Sequence, residues 1–252
     1  MERKTSELGL NRTGIKTSPV QGKEIVEASE QSLPSSPGDA SAMGQVRAEF
    51  AAEVPGLGSV PPPVGLKGMA KTAVDLLKGG RASVFIDKLA ERAGFERTGV
   101  RIYEAVLSKL DVFGTWEGGP TREELESIRR DELAHFALLV RTIEQLGGDS
   151  TALTPSAELA SNLSMGVPRT LSDPHVNLLQ CVQGLLMIEL TDNASWDLLI
   201  SLARELGHAT LAEEFHAALV AEADHLVTVR GWFETGTMLE ARVGEEAAGA
   251  PA

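Results

Sequence analysis

The sequence predicts an all-α protein: a four-helix bundle with one long crossover, preceded by a disordered N-terminal arm. Three observations predict it. Four long segments between Ala82 and Leu239 carry apolar residues at alternating spacings of three and four, the period of one helix face. The composition, 42% hydrophobic, 23% charged and only 4% aromatic, suits helices rich in Ala, Leu and Glu. Seven of the twelve prolines fall before residue 64 (Pro19, Pro34, Pro37, Pro55, Pro61, Pro62, Pro63), mixed with Ser, Gly and acidic residues.

Residues 1–63 therefore read as a disordered or extended arm, because such a segment buries too little apolar surface to offset the entropy of ordering it. Short helical turns fit Lys23 to Glu30 and Met43 to Glu53, and NRTGIKTSPV (residues 11–20) is compact enough to serve as a docking peptide. The bundle domain spans residues 64–240. A short leading helix covers Leu66 to Leu77 and stops at Gly79-Gly80.

The first long helix runs from about Ala82 to Phe113, with the stripe Phe85, Leu89, Ala93, Glu96, Val100, Tyr103, Leu107 and Leu110. Glu96 interrupts it. Glu104, flanked at helical spacing by Arg101, Ser108 and Asp111, reads as solvated instead. After the loop GTWEGGP (residues 114–120), Pro120-Thr121 opens the second helix, whose acidic first turns suit the positive end of the helix dipole. Its stripe is Leu125, Ile128, Glu132, His135, Leu139, Ile143 and Leu146, and Gly147-Gly148 ends it.

The connection from Asp149 to Asp173 is long for a compact domain. A short helix from Ser156 to Met165 shortens it, and its span lets the helices on either side run parallel. The third long helix is expected to start near Asp173-Pro174, with the stripe Leu178, Val182, Leu185, Glu189, Asp192, Trp196, Leu199, Ala203 and Leu206. The fourth covers about Leu211 to Leu239, with Leu211, Phe215, Leu219, Glu222, His225, Val229 and Phe233 inward. Residues 241–252 read as a flexible tail.

Each of the four stripes is thus broken by acid, and two of them by Glu-x-x-His. From Glu96 to Glu132 is 36 residues and from Glu189 to Glu222 is 33, so two helical hairpins of similar length present a Glu and then a Glu-x-x-His. The chain holds four Glu-x-x-His matches. Glu205 and His208 straddle the Gly207 turn, and Glu213 with His216 lies two and a half turns before Glu222, on the solvent side. The matches on the stripes remain. One Glu from each of two helices plus Glu-x-x-His from each of two others is the ligand set of a dinuclear site inside a helix bundle. The candidates are Glu96, Glu132, His135, Glu189, Glu222 and His225.

Energetics favours a ligand. Stacked buried carboxylates would each cost several kcal/mol as bare anions, against about 5–15 kcal/mol of net stability for a domain. Hard oxygen with some imidazole and no thiolate favours iron or manganese. Tyr103, two turns after Glu96, reads as a hydrogen-bond partner of a ligand, a redox-active neighbour or a core aromatic. Asp192 is placed to orient a ligand histidine through its second nitrogen or to act as an alternate ligand. Trp196 and Cys181 read as core packing.

A formal net charge of −13 argues against nucleic acid or an anionic membrane as the main partner. The single cysteine excludes a disulfide framework and a Cys-rich metal site. With no apolar signal core in MERKTSELGLNRTG and no apolar run of about 18 residues, the expected address is the cytoplasm.

From about Ala82 to Leu239, carried by FERTGVRIYE, DELAHF, IELTDNASW and EADHL, the chain resembles the ferritin-like superfamily, in the style of bacterioferritin and rubrerythrin. The resemblance implies an up-down-down-up bundle and a pair of iron ions that reacts with dioxygen or hydrogen peroxide. Glu132 and Glu222 would bridge the metals, and Glu96 with His135 and Glu189 with His225 would be the terminal sets. Tyr103 matches the tyrosine that rubrerythrin-like proteins keep after their first Glu, and Asp192 falls where some of them have an extra carboxylate.

The departures shape the expectation. There is no Cys-x-x-Cys, so peroxidase electrons would come from an external donor, and no Met is placed as an inter-subunit haem ligand, so no haem is expected. The long arm and crossover differ from those of a cage-forming monomer. A homodimer or larger homo-oligomer fits, with the arm docking a partner. Three readings follow: oxidation of Fe(II) or reduction of peroxide or dioxygen, manganese catalase-like dismutation, and a helical interaction or cargo protein.

Overall fold

Four long helices carry the structure, a computed structural model that describes residues 19–31, 41–54, 60–61 and 82–248. The chain divides into two units, Met1–Pro55 and Gly56–Ala252. In the first, the described residues form α1 (Pro19–Gln31) and α2 (Ser41–Glu53), where the sequence marks helical turns at Lys23–Glu30 and Met43–Glu53. No residue of α2 is buried. The leading helix expected over Leu66–Leu77 lies outside the described residues, as does most of NRTGIKTSPV.

The second unit is helical throughout its described residues: α3 (Ala82–Phe113), α4 (Arg122–Gln145), α5 (Pro155–Ser164), α6 (Gly166–Leu171), α7 (Leu178–Glu205) and α8 (Ala209–Ala248). Thr121 caps α4 through a reciprocal box with Glu124, which satisfies two donors that the first turn leaves open. Asn177 and Gln180 do the same for α7. That corrects the start expected at Asp173-Pro174. The Asp173 carboxylate accepts from the backbone N–H of His175 at 2.9 Å, which makes a turn rather than a cap. At the other end, α8 runs past Leu239 to Ala248, through a segment of good helix formers that the sequence reading treats as tail from 241.

Contacts between helices fix their directions. Pairs Asp111–Arg122, Glu104–Arg129 and Glu96–His135 step down α3 as they step up α4, so the two are antiparallel. Asn193 to Glu222 and Glu189 to His225 make α7 and α8 antiparallel in the same way. Tyr103 to Glu189 and Glu96 to Trp196 oppose α3 and α7. Hence α4 and α7 run in the same direction, and the segment between them must travel the length of the bundle. It does so along α3. Ser156, at the head of α5, binds the Asp87 carboxylate through its backbone N–H at 2.9 Å, and Lys109 donates to the carbonyls of Asp173 and Val176 beyond α6.

Two apolar clusters fill the interior, one around Phe85, Leu139, Trp196 and Phe215, the other around Ile102, Leu125, Val182 and Val229. Cys181 lies in the second, buried and free. Between the clusters sits a layer of ionisable side chains. Most residues of the predicted stripes are buried, with Val100, Leu110, Leu206, Leu211, Leu219 and Phe233 only partly so, while Glu104 is exposed and ion-paired to Arg129 at 3.0 Å. Among the described residues no helix is long and apolar enough to cross a membrane.

Candidate metal centre

Glu96 from α3, Glu132 and His135 from α4, Glu189 from α7, and Glu222 and His225 from α8 meet in that layer. The four carboxylates are fully buried; His135 and His225 are 8% and 5% exposed. Each Glu-x-x-His shares a helix face one turn apart, so the helix period itself brings its two side chains inward together. By contrast Glu213 and His216 are exposed, and Glu205 with His208 brackets the α7–α8 turn, where His208 stacks on Phe85.

The six residues form two overlapping groups. One ligand atom each from Glu96, His135 and Glu222 lie within 4.8 Å of one another, and so do atoms from Glu132, Glu189, Glu222 and His225. Glu222 belongs to both. Its Oε1 lies 2.7 Å from His135 Nδ1, and its Oε2 lies 3.2 Å from His225 Nδ1. One carboxylate thus offers one oxygen to each half of the site. Glu132, which the resemblance implies is a second bridge, joins the second group alone.

Glu96 and Glu189 are held on one side and open on the other. Glu96 Oε1 accepts a hydrogen bond from Trp196 Nε1 at 2.9 Å and lies 2.9 Å from Arg92 Nε. Its Oε2 is free and faces His135 Nδ1 at 3.7 Å. Glu189 Oε1 accepts from the Tyr103 hydroxyl, while Oε2 has no hydrogen-bond partner and faces His225 Nδ1 at 3.9 Å. Both oxygens of Glu132 are without a partner, as is Glu222 Oε1, which sits close to His135 but out of line for a hydrogen bond. Buried polar atoms in native proteins are nearly always paired. These unpartnered oxygens lie within the two groups of side chains that could hold a metal ion.

Charge balance agrees. The buried layer holds five carboxylates, counting Asp192, and one guanidinium, Arg92. That leaves a formal excess of four negative charges, which two divalent cations with two neutral imidazoles would cancel. Without them the groups share protons. Burial and the neighbouring carboxylates push Glu132 well above the usual carboxylate range and Glu189 up to about 8. Burial would also raise Glu222, but His135 and His225 outweigh it and hold this group down at about 2. Burial works against protonated His135, yet proximity to Glu222 and Glu96 raises it to about 9; His225 is also raised, by Glu222, Glu189 and Asp131 against the cost of burial. Tyr103 is pushed well up by burial and by Glu189, so its phenol keeps the proton it donates.

Asp192 does not orient a histidine. Its carboxylate is ion-paired with Arg92, a residue 2% exposed that is absent from the sequence reading. The second nitrogen of His225 faces Asp131 instead, at 3.3 Å between Nε2 and Oδ2. Trp196, read from sequence as core packing, packs on Phe215 and His135 and also anchors Glu96. Asn193 was also missed: its amide donates to the carbonyls of Glu189 and Glu222, at 3.0 and 2.9 Å, and ties α7 to α8 beside the ligands. Arg92 lies four residues before Glu96, and Asp131 directly precedes Glu132. Those spacings are the signals that could have found them.

Comparison with known proteins adds no relative: no family model, curated protein or solved structure matches the chain.

Proposed function

We propose that this chain is a dinuclear carboxylate protein of the ferritin-like kind, which oxidises Fe(II) with dioxygen or hydrogen peroxide. The observation that carries the reading is the division of Glu222 between two ligand groups, its two oxygens facing two histidines from different helices. The parallel run of α4 and α7, with the crossover laid along α3, supports the same reading. Glu96 with His135 would hold one ion and Glu189, Glu132 and His225 the other. A bound iron pair would supply redox chemistry, two electrons from two Fe(II) reducing dioxygen, with two protons, to hydrogen peroxide.

The chain's own residues supply the rest. Trp196 and Arg92 fix Glu96, and Tyr103 fixes Glu189, so each carboxylate presents one oxygen inward without a rotamer search. The apolar clusters above and below exclude bulk water from the layer. His225 joins the layer to half-exposed Asp131, a polar contact through which a proton can reach or leave the centre.

Anaerobic titration with Fe(II), followed by air, tests the proposal. Two irons bound per chain and a rise in near-ultraviolet ferric absorbance on exposure to air are expected, both lost in the Glu132→Ala, Glu222→Ala double variant. Dismutation of peroxide only after manganese loading would redirect the reading to catalase-like chemistry. Uptake of neither metal would leave a helical interaction protein.

A further inference from the structure

Beside the metal layer, α3, the α5–α6 crossover and α7 line a cavity of about 260 Å³ that opens to the surface past Leu159, Leu163 and Leu198 and is floored by buried Ile188 and Leu199. Its walls are aliphatic and aromatic: Phe95 on α3, Leu159 and Leu163 on α5, and Ile188, Leu198 and Leu199 on α7. Its inner end reaches Arg92, the residue that holds Glu96, and Ile188, the neighbour of Glu189. Leu199 belongs to the same cluster as Trp196. The cavity thus borders residues that touch or adjoin the proposed ligands.

The polar groups that line it are already engaged. Lys88 is ion-paired to Glu91 at 2.6 Å, and Arg92 to Glu96 and Asp192. The hydroxyls of Ser164, Thr191 and Ser195 each donate to a carbonyl one turn back on their own helix, at 2.8, 3.0 and 2.8 Å. No unengaged cation or hydroxyl proton is left to recognise a charged or strongly hydrogen-bonding molecule. A second cavity of about 230 Å³, on the other side of α5, differs: it is lined by Arg97, Arg101, Thr98 and Thr151. Apolar cavities of this general size take up small apolar molecules, xenon and benzene among them.

Resting on the di-iron reading above, we infer that the apolar cavity is the entry chamber for dioxygen, and that dioxygen rather than hydrogen peroxide is the oxidant this site is built to receive. Of the two oxidants, dioxygen is uncharged, apolar and gains from leaving water for an apolar chamber. Hydrogen peroxide would give up hydrogen bonds with water on entry and meet a mainly aliphatic wall, whose charged groups are already held in ion pairs. The ligands themselves are closed to solvent, so an oxidant needs a way in, and this chamber ends beside them.

Xenon tests the chamber without any metal or turnover. In the metal-free full chain, xenon added under pressure should shift methyl resonances of Leu163, Ile188 and Leu199 along one saturable curve. Ser195→Trp and Leu198→Trp, which place an indole in the cavity from α7, should abolish it. In the iron-loaded chain the same variants should lower the second-order rate of oxidation by dioxygen about tenfold, equivalent to about 1.4 kcal/mol of added barrier. The rate with hydrogen peroxide should stay within twofold of the parent chain. No saturable xenon site at these methyls, or equal slowing with both oxidants, overturns the inference while leaving the metal centre standing. A parent chain that binds xenon in the cavity but neither takes up nor oxidises iron overturns both readings.

Discussion

Gly99 of α3 faces Glu132 of α4 so closely that a Cβ at position 99 would overlap Oε2 of the glutamate and stand 2.9 Å from its Cδ. The glycine is not there for backbone freedom, since it sits mid-helix. It is there for space. Glu132 is fully buried among other carboxylates, and an added methyl would drive its carboxylate off the gap it shares with Glu189 and His225. Alanine is favoured over glycine in a helix interior by roughly 0.5–1 kcal/mol, so any loss comes from the clash alone. For Gly99→Ala we expect a helical, folded chain whose metal content falls from two ions toward one. Elemental analysis alongside thermal melting checks this, and a variant that keeps both ions would show that the Glu132 carboxylate does not need the space left by Gly99.

Asp131 is about half exposed and touches buried His225 through the ring nitrogen that faces away from the ligand gap. Second partners of this kind set the tautomer and orientation of a ligating histidine, and their loss typically costs about 10–100-fold in metal affinity. Asp131→Asn keeps the shape but loses the charge. The expected result is a metal affinity lower by about tenfold or more with the melting temperature of the metal-free chain little changed, because the carboxylate is solvated. Competitive titration against a chelator measures the first, and unchanged affinity would remove Asp131 from the site.

Asp192, which the sequence reading misassigned, and Arg92, which it missed, share one cause. The six proposed ligands are legible because a helix repeats every 3.6 residues, which puts Glu and His three apart on one face whatever the neighbours do. Partners across helices obey no such rule. Asp192 is the obvious carboxylate on its stripe, but whether it meets a histidine depends on how α7 is rotated against α8 and α3. In the fold it meets Arg92, while His225 turns its outer nitrogen to α4. Arg92 drew no reading at all, because a long cationic side chain at a stripe edge commonly snorkels to water. Its burial is decided by Asp192, far along the chain. The start of α7 was missed for a smaller reason: Asp173 and Asn177 are both good caps, and the reciprocal bond with Gln180 selects the second.

Arg92 is ion-paired to Glu96 and Asp192 with all three side chains at most 2% exposed. Breaking a buried pair by removing one partner generally costs about 3–5 kcal/mol, because the other charge stays behind. Arg92→Leu should therefore destabilise the metal-free chain by about that amount. Replacing Asp192 as well should recover much of it, since the double variant leaves Glu96 as the only uncompensated member. Urea unfolding of the parent, the two single variants and the double variant closes the cycle. Additive losses would mean that the ion pair carries no coupling.

The protonation pattern of these groups predicts that stability of the metal-free chain falls with pH while metal affinity rises. Glu189 rises from 4.5 to about 8 on folding, so between those values the folded chain holds a proton that the unfolded chain has released, and stability falls as pH rises. His135 rises from 6.5 to about 9, so its contribution is fully present below 6.5 and is lost as pH climbs through 9. Glu222 falls from 4.5 to about 2, and its contribution is present above 4.5 and disappears only as pH drops through 2. The metal-free chain should accordingly be most stable in mildly acidic solution and lose melting temperature steadily from about pH 6 to 9. Bound cations need the same groups deprotonated, so metal affinity should rise over that range, with protons released on binding. The gap between loaded and empty melting temperatures should therefore widen with pH. Paired melting curves at pH 6, 7.5 and 9, with and without Mn(II) as a redox-stable probe, measure it. A constant gap would mean that the ions bind somewhere other than these histidines and carboxylates.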